Sequence, residues 1–351
     1  MIKIAILGCG QLGTALAGVI SKNINYEVVL YTLDQQTCDC INNNNYNDKY
    51  LSNYKINAKA TTDINEAIKN AETIFLTVPS FAVLSVASEI ALCKISANIV
   101  LCSKGFNEIG TNIEDLFFSN CVQKILPNNN ISVFAGPSFA DGIIAGVSTA
   151  VSLAGDNFGV INDYFAHSNI VLYKSNDIIG VQVLAAIKGI VAIKIGILEA
   201  IGQSLAKAEN INKGLYTNKI YKTLSEMLME MRDIIVAFGG EESTIITPAG
   251  IGDTVMVCNS DQSRNKRFGF AIGDILWAEM LKVANGDMME VRKNFLNGDI
   301  ETDLLSVAQI ESALSFAGGV VEGYFAIPKL AKILKNITAK TEHFDWICDL
   351  I

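Results

Sequence analysis

The chain opens "MIKIAILGCGQLGTALAGVI" (residues 1–20), and the three glycines in it decide how the first half folds. Ile2 to Leu7 is a short apolar run, the composition of a strand buried on both faces. Gly8, Gly10 and Gly13 follow in GxGxxG spacing and open an apolar helix. Alone, GxGxxG is a weak signal; between a strand and a helix it is the turn that receives a dinucleotide pyrophosphate. Gly8 permits the tight turn, Gly10 lets the pyrophosphate approach the backbone, and Gly13 lets helix and strand pack closely. The anion then lies at the positive end of the helix dipole.

Working outward, "VVLYTLD" (28–34) ends a second strand at Asp34, 21 residues after Gly13. An acidic group there accepts hydrogen bonds from the adenosine ribose. Leu33 precedes it and no arginine stands at the strand end to pair with a 2′-phosphate, which favours NAD over NADP. An Asp that only starts a loop is the competing explanation. Further β-rich runs occur at 73–78, 98–103, 131–136, 149–155 and 170–175, separated by helix-length segments. They predict a mostly parallel, doubly wound α/β sheet of Rossmann type over residues 1–177. The asparagine-rich stretches "INNNNYNDKY" (41–50) and "PNNN" (127–130) read as surface loops. After about residue 176 helical periodicity takes over, predicting an all-α domain over 178–351.

Composition narrows the function classes. A net charge of −9 argues against nucleic acid, whose binding needs a broad basic surface. The N-terminus lacks the pattern of a signal peptide, so a cytoplasmic location is expected. Eight cysteines without CxxC pairs and two histidines offer no metal-ligand cluster, and no metal is expected. The apolar run from Ile178 to Ile201 is long enough to cross a bilayer, but Lys188 and Lys194 sit in it. Each would cost about 2.5–3.5 kcal/mol to insert, so no membrane span is expected. On a helix, positions six apart point about 120° away from one another. Lys194 is therefore expected to reach solvent while Lys188 faces inward, near the junction of the domains, as an acid or base candidate.

Three other stretches gather polar groups. "LCSKGF" (101–106) places Lys104 just past a strand, at the sheet edge where open α/β folds bind ligands. "FAGPSFADG" (134–142) follows another strand with Gly136 and Ser138; its backbone N–H groups are candidates for an anion, and a helix N-cap is the simpler role for Ser138. "AGIGDTVMVCNSDQSRNKRFG" (249–269) contributes Asp253 and the basic cluster Ser263, Arg264, Asn265, Lys266 and Arg267. A guanidinium and an amide suit a phosphate; a solvated helix start is the plainer alternative.

Together, "GCGQLGTALA", "VPS" (78–80), "SKG" (103–105), "GPSFA" (136–140), "IKGIVAI" (187–193), "AGIGD" (249–253), "QSRNKRFG" (262–269) and "GGVVEGY" (318–324) resemble the bacterial NAD(P)-dependent glycerol-3-phosphate dehydrogenases. The resemblance implies NAD or NADP as cofactor and glycerol 3-phosphate and dihydroxyacetone phosphate as substrates, with glycerol 3-phosphate supplied to glycerophospholipid synthesis. It implies that Lys188 is the catalytic lysine, that Lys104 touches substrate and cofactor, and that Asp253 orients Lys188. Gly136, Ser138, Asp253, Ser263, Arg264 and Asn265 then contact the substrate, with Lys188. Gln11, Leu12, Ala140, Arg264, Val320 and Glu322 join the glycines at the cofactor. The chain departs from the pattern at Gly189, where asparagine is usual, and at Val257, where threonine is usual. It also carries an insertion near 209–227 and a longer stretch between Gly269 and Gly318. A related β-hydroxyacid dehydrogenase acting on a carboxylate, and a nucleotide-binding protein that has lost catalysis, are the alternatives. Pairing of the chain with itself as a homodimer is left open.

Overall fold

A computed structural model describes residues 1–107, 113–298, 300, 305–335 and 337–351. The chain divides into two compact units, Met1–Val183 with Ile246–Ala249, and Leu184–Ile245 with Gly250–Ile351.

Among the described residues the first unit is built on eight strands: β1 (Ile2–Leu7), β2 (Tyr26–Tyr31), β3 (Lys59–Thr61), β4 (Thr73–Leu76), β5 (Asn98–Leu101), β6 (Asn130–Ala135), β7 (Thr149–Ala154) and β8 (Ile170–Ser175). Their order in the sheet is β3-β2-β1-β4-β5-β6-β7-β8. All neighbours pair in parallel except β6 and β7. The helices are α1 (Gln11–Ile20), α2 (Gln35–Asn44), α3 (Ile64–Ile68), α4 (Val83–Leu92), α5 (Phe118–Ile125), α6 (Ala140–Ile144) and α7 (Phe158–Asp163). Strand order reverses between β1 and β4, and at such a switch point the crevice beyond the carboxyl ends of the strands is where ligands bind. The central strands are apolar on both faces because helices cover both: Ile4, Ile6, Phe75 and Val100 are fully buried. Only β3, three residues long with the sequence "KAT", has no sequence run to announce it.

The second unit is helical in its described residues. It holds α8 (Ile178–Ala208) from Leu184 onward, then α9 (Thr217–Ala237), α10 (Asp253–Asn259), α11 (Arg264–Val283), α12 (Met288–Asn297), α13 (Val307–Ala317), α14 (Glu322–Leu334) and α15 (Glu342–Leu350). Residues 299 and 301–304 of the longer stretch before Gly318 lie outside the described residues. The most apolar window of α8 is 89% buried inside the protein, so its oily composition reflects a core position. Glycines let α11 lie against it: a Cβ at Gly269 would fall 2.0 Å from the Ile193 carbonyl oxygen, and one at Gly196 2.3 Å from that of Lys266.

Two expectations fail for reasons of packing. Lys194 does not reach solvent: it is 6% exposed, with Nζ 2.9 Å from the centroid of the Trp346 ring. The angular argument places it away from Lys188, but α15 covers that face of α8 too. Nor is the stretch 41–50 all surface loop. Residues 41–44 finish α2, and Asn47 is fully buried, donating to the Cys9 carbonyl (3.0 Å) and to Thr14 Oγ1 (2.8 Å) behind the glycine turn. In "PNNN", Asn129 is likewise buried and donates to the Ala97 carbonyl at 3.0 Å.

Candidate active site

In the first unit the glycine turn fits a dinucleotide. Gly8 adopts φ +117°, and a Cβ there would meet the Thr77 backbone at 2.9 Å. A Cβ at Gly13 would lie 2.0 Å from the Gly8 carbonyl oxygen, so only glycine lets α1 start this close to β1. Thr77, just past β4, locks the turn by donating through Oγ1 to the Gly8 carbonyl at 2.8 Å. Gly10, by contrast, faces open space to 4 Å, and as N-cap of α1 it brings no side chain to the first N–H groups of that helix. Those donors and that space are what a pyrophosphate requires. Gln11 is exposed and Leu12 half-buried beside them.

Asp34 is the N-cap of α2: its Oδ2 accepts from the Thr37 N–H at 2.8 Å and pairs with Lys49 Nζ at 2.9 Å. The Thr37 hydrogen bond and the lysine hold its carboxyl down at about 2. A cation thus does stand at the end of β2, brought there by the loop after α2 and invisible at the strand end itself.

Lys104 and Gly136 follow β5 and β6, on the same sheet edge as the glycine turn, since all three strands run parallel. The Lys104 loop is tied to the "VPS" loop, because the Ser103 hydroxyl donates to the Val78 carbonyl. Gly136 is required by packing, a Cβ there lying 2.9 Å from the Ala150 carbonyl oxygen on β7. Ser138 is not a helix cap: α6 begins at Ala140, has no side-chain cap, and the Ser138 hydroxyl donates back to the Gly136 carbonyl at 2.9 Å. With five residues α6 is too short to serve as an anion site by its dipole. Ala140 is buried at its start.

In the second unit Lys188 and Asp253 form an ion pair with both side chains out of solvent, 6% and 0% exposed. Asp253 is the first residue of α10, reached through a tight turn at Gly250, where a Cβ would strike the Ile245 carbonyl. Val257 is buried one turn further along α10.

The basic cluster divides by role. Ser263 is the N-cap of α11, accepting from the Lys266 N–H at 3.3 Å. Lys266 is buried and paired with Glu199 at 2.9 Å, and Arg267 donates to the Ala317 carbonyl at the end of α13. Both are structural. Arg264 is exposed, and its Nη1 lies 3.1 Å from where a Cβ on Gly319 would stand, so it reaches the turn that carries Val320 and Glu322. Asn265 accepts from the Gly323 N–H at 2.9 Å and abuts Gly189, the residue after Lys188.

Comparison with known proteins identifies the family. The NAD-dependent glycerol-3-phosphate dehydrogenase N-terminal family matches residues 3–160, and its C-terminal family residues 177–350. The chain belongs to the NAD-dependent glycerol-3-phosphate dehydrogenase family. A glycerol-3-phosphate dehydrogenase [NAD(P)+] of Clostridium perfringens is 32% identical over 286 residues, 80% of this chain and 81% of that one. One of Coxiella burnetii is 31% identical over 320 residues, covering 89% and 90%. The crystal structure of a glycerol-3-phosphate dehydrogenase from Coxiella burnetii superposes with a TM-score of 0.76 at 26% identity, over 99% of this chain and 93% of the other. Within this dehydrogenase, sequence reasoning missed Thr77, Asn47 and Gly323, each of which acts only through a distant partner.

Proposed function

We propose that this dehydrogenase interconverts sn-glycerol 3-phosphate and dihydroxyacetone phosphate with NAD(P)(H), with Lys188 as the proton donor and acceptor. The buried Lys188–Asp253 pair carries this assignment. The nicotinamide, when bound, supplies the hydride to C2 of the ketone or takes it up from the alcohol. In the direction of reduction the Lys188 ammonium gives its proton to the C2 oxygen as negative charge develops there. Asp253 favours the ammonium form and fixes the direction in which it points, since an opposite charge in contact stabilises the ionised group. In oxidation the neutral amine takes the proton back.

The remaining residues position the reactants. The first turn of α11, a 20-residue helix, presents Arg264 and Asn265 at its positive end, a suitable anchor for the phosphate. The Ser263 oxygen accepts the capping bond, leaving its O–H to donate. Lys104, Gly136 and Ser138 are assigned to the substrate by the resemblance alone, with Lys104 also at the cofactor. The cofactor itself falls to the glycine turn, Asp34, Ala140, Arg264, Val320 and Glu322. The product is the backbone of glycerophospholipids, and we place the enzyme at their supply, in the cytoplasm.

The test is oxidation of NADH and of NADPH by the purified protein with dihydroxyacetone phosphate, against short 2-oxo acids. Turnover restricted to the phosphate ketone is expected. Preference for an oxo acid would transfer the chain to a carboxylate substrate, and binding without oxidation would mark a protein that has lost catalysis.

A further inference from the structure

Gly189 stands where the resembling enzymes usually carry an amide, and the structure shows what occupies the space. The position a Cβ on Gly189 would take lies 2.9 Å from Asn265 Nδ2, 3.1 Å from its Cγ and 3.0 Å from the Gly323 Cα. Conversely, a Cβ on Gly323 would lie 2.6 Å from the Gly189 carbonyl carbon and 2.8 Å from Asn265 Oδ1. The three residues fill one volume, and neither glycine can gain a side chain unless backbone or the Asn265 amide moves.

The hydrogen bond between them determines which way the amide faces. Gly323 is the second residue of α14, where backbone N–H groups lack partners within the helix, and the N-cap, Val321, has no side-chain acceptor. Asn265 supplies that acceptor from α11, its Oδ1 2.9 Å from the Gly323 nitrogen. A backbone N–H can only donate, so the oxygen of the amide must face α14. Both donor hydrogens of Nδ2 are therefore turned away from α14 and towards the α8 turn that carries Lys188.

We propose that Gly323 is a positioning residue for substrate binding: its N–H orients the Asn265 amide, and Gly189 makes the room in which that amide replaces the missing one. The assignment rests on Asn265 holding the phosphate, as argued above. Restoring asparagine at position 189 would displace Asn265 and so weaken the site it is meant to complete.

The experiment compares the full-length wild type with Gly323→Ala, Gly189→Asn and Asn265→Asp. Asn265→Asp adds no bulk and keeps an oxygen for the Gly323 N–H, so it retains the fold while exchanging donors for a negative charge. Binding of inorganic phosphate is measured by calorimetry, and KM and kcat for dihydroxyacetone phosphate by NADH oxidation. Gly323→Ala and Gly189→Asn are expected to raise KM and the phosphate Kd roughly tenfold with kcat within about threefold, and Asn265→Asp more strongly, the pattern of lost ground-state binding. A merely structural role would lower thermal stability without this split. Unchanged KM and phosphate affinity in Gly323→Ala and Asn265→Asp, or tighter binding in Gly189→Asn, would overturn the proposal while wild-type turnover left the assigned reaction standing. Should the wild type bind phosphate but not turn over the ketone, a loss of phosphate binding in the variants would still support the positioning role, and the assigned reaction would be what fails.

Discussion

Two lysines six residues apart on α8 are equally buried, Lys188 at 5% and Lys194 at 6%, yet they face opposite kinds of partner. Lys188 meets the carboxylate of Asp253, itself fully buried. Lys194 meets the face of Trp346, and burial, with Lys219 nearby, pulls its pKa well below the ordinary lysine value while Glu230 acts in the other direction. Burial is common to both, so the proposed role of Lys188 rests on its partner and not on burial. An adjacent carboxylate holds an ammonium at a fixed point; an aromatic face serves to seat a helix.

The comparison is broken most directly at the two amines. Lys188→Ala is expected to lower kcat by about 10²–10⁴-fold, the usual contribution of a positioned acid or base, with nucleotide binding retained. Lys194→Met, which keeps most of the volume and removes a buried amine, is expected to leave kcat within about threefold. Steady-state kinetics on both variants checks this, and comparable losses in the two would erase the distinction. The next largest effect belongs to Asp253→Asn. It strips the counter-charge from a buried ammonium without changing shape, which costs about 3–5 kcal/mol of stability by analogy with other broken buried pairs. Denaturant unfolding should show it; a loss under about 1 kcal/mol would mean that the site is better hydrated than its burial indicates.

At the other lysine the sharper tool is pH. Glu230 caps α15, accepting from the His343 N–H at 3.0 Å and the Phe344 N–H at 3.3 Å. Burial pushes its carboxyl up to about 7 against these bonds, with Glu342 and Asp345 adding to the rise. The folded state then holds a proton that the unfolded chain releases near 4.5. Its contribution is fully present below about 4.5 and is lost as pH rises through about 7. Other groups at this helix work the opposite way: burial lowers His343, which bonds Glu226, and also Lys194, so each contributes stability as pH rises. Glu230→Gln isolates the one from the others. Relative to wild type it should gain stability between pH 5 and pH 8, read as a growing difference in Tm. A constant difference across that range would contradict the assignment.

What could be read from the residues alone follows the range of the interaction. The glycine turn was legible because its clashes, Gly13 against Gly8, are five residues apart. The fold class was legible because central strands buried on both faces are apolar throughout. Lys188 and Asp253 were legible as types, through their motifs, but their pairing joins residues 65 positions apart. Lys194 was misjudged because a helical wheel describes one helix and cannot show that α15 lies on its outer face. Asn47 was hidden in a run of asparagines that differ only in what each side chain meets. Lys266 and Arg267 read as one charge cluster with Arg264, although each closes a different helix contact. Gly323 is legible only as part of the 318–324 motif, because a backbone N–H carries no signature in sequence.

A third lysine sharpens the comparison by holding the partner constant and changing burial. Lys49 pairs with Asp34 at 2.9 Å, the same two residue types as Lys188 and Asp253, but the side chains are 49% and 40% exposed. Water screens such a pair, so it adds little to stability. Lys49→Ala should therefore leave Tm nearly unchanged, the smallest effect of the series. Its position at the end of β2 gives it a second readout. Without the lysine, the Asp34 carboxylate is left to repel a 2′-phosphate, so oxidation of NADPH relative to NADH should fall, by severalfold or so, while NADH oxidation is little changed. If stability fell as far as in Asp253→Asn, partner identity alone would set the strength of a lysine–aspartate pair, and burial would have no part in separating the three lysines.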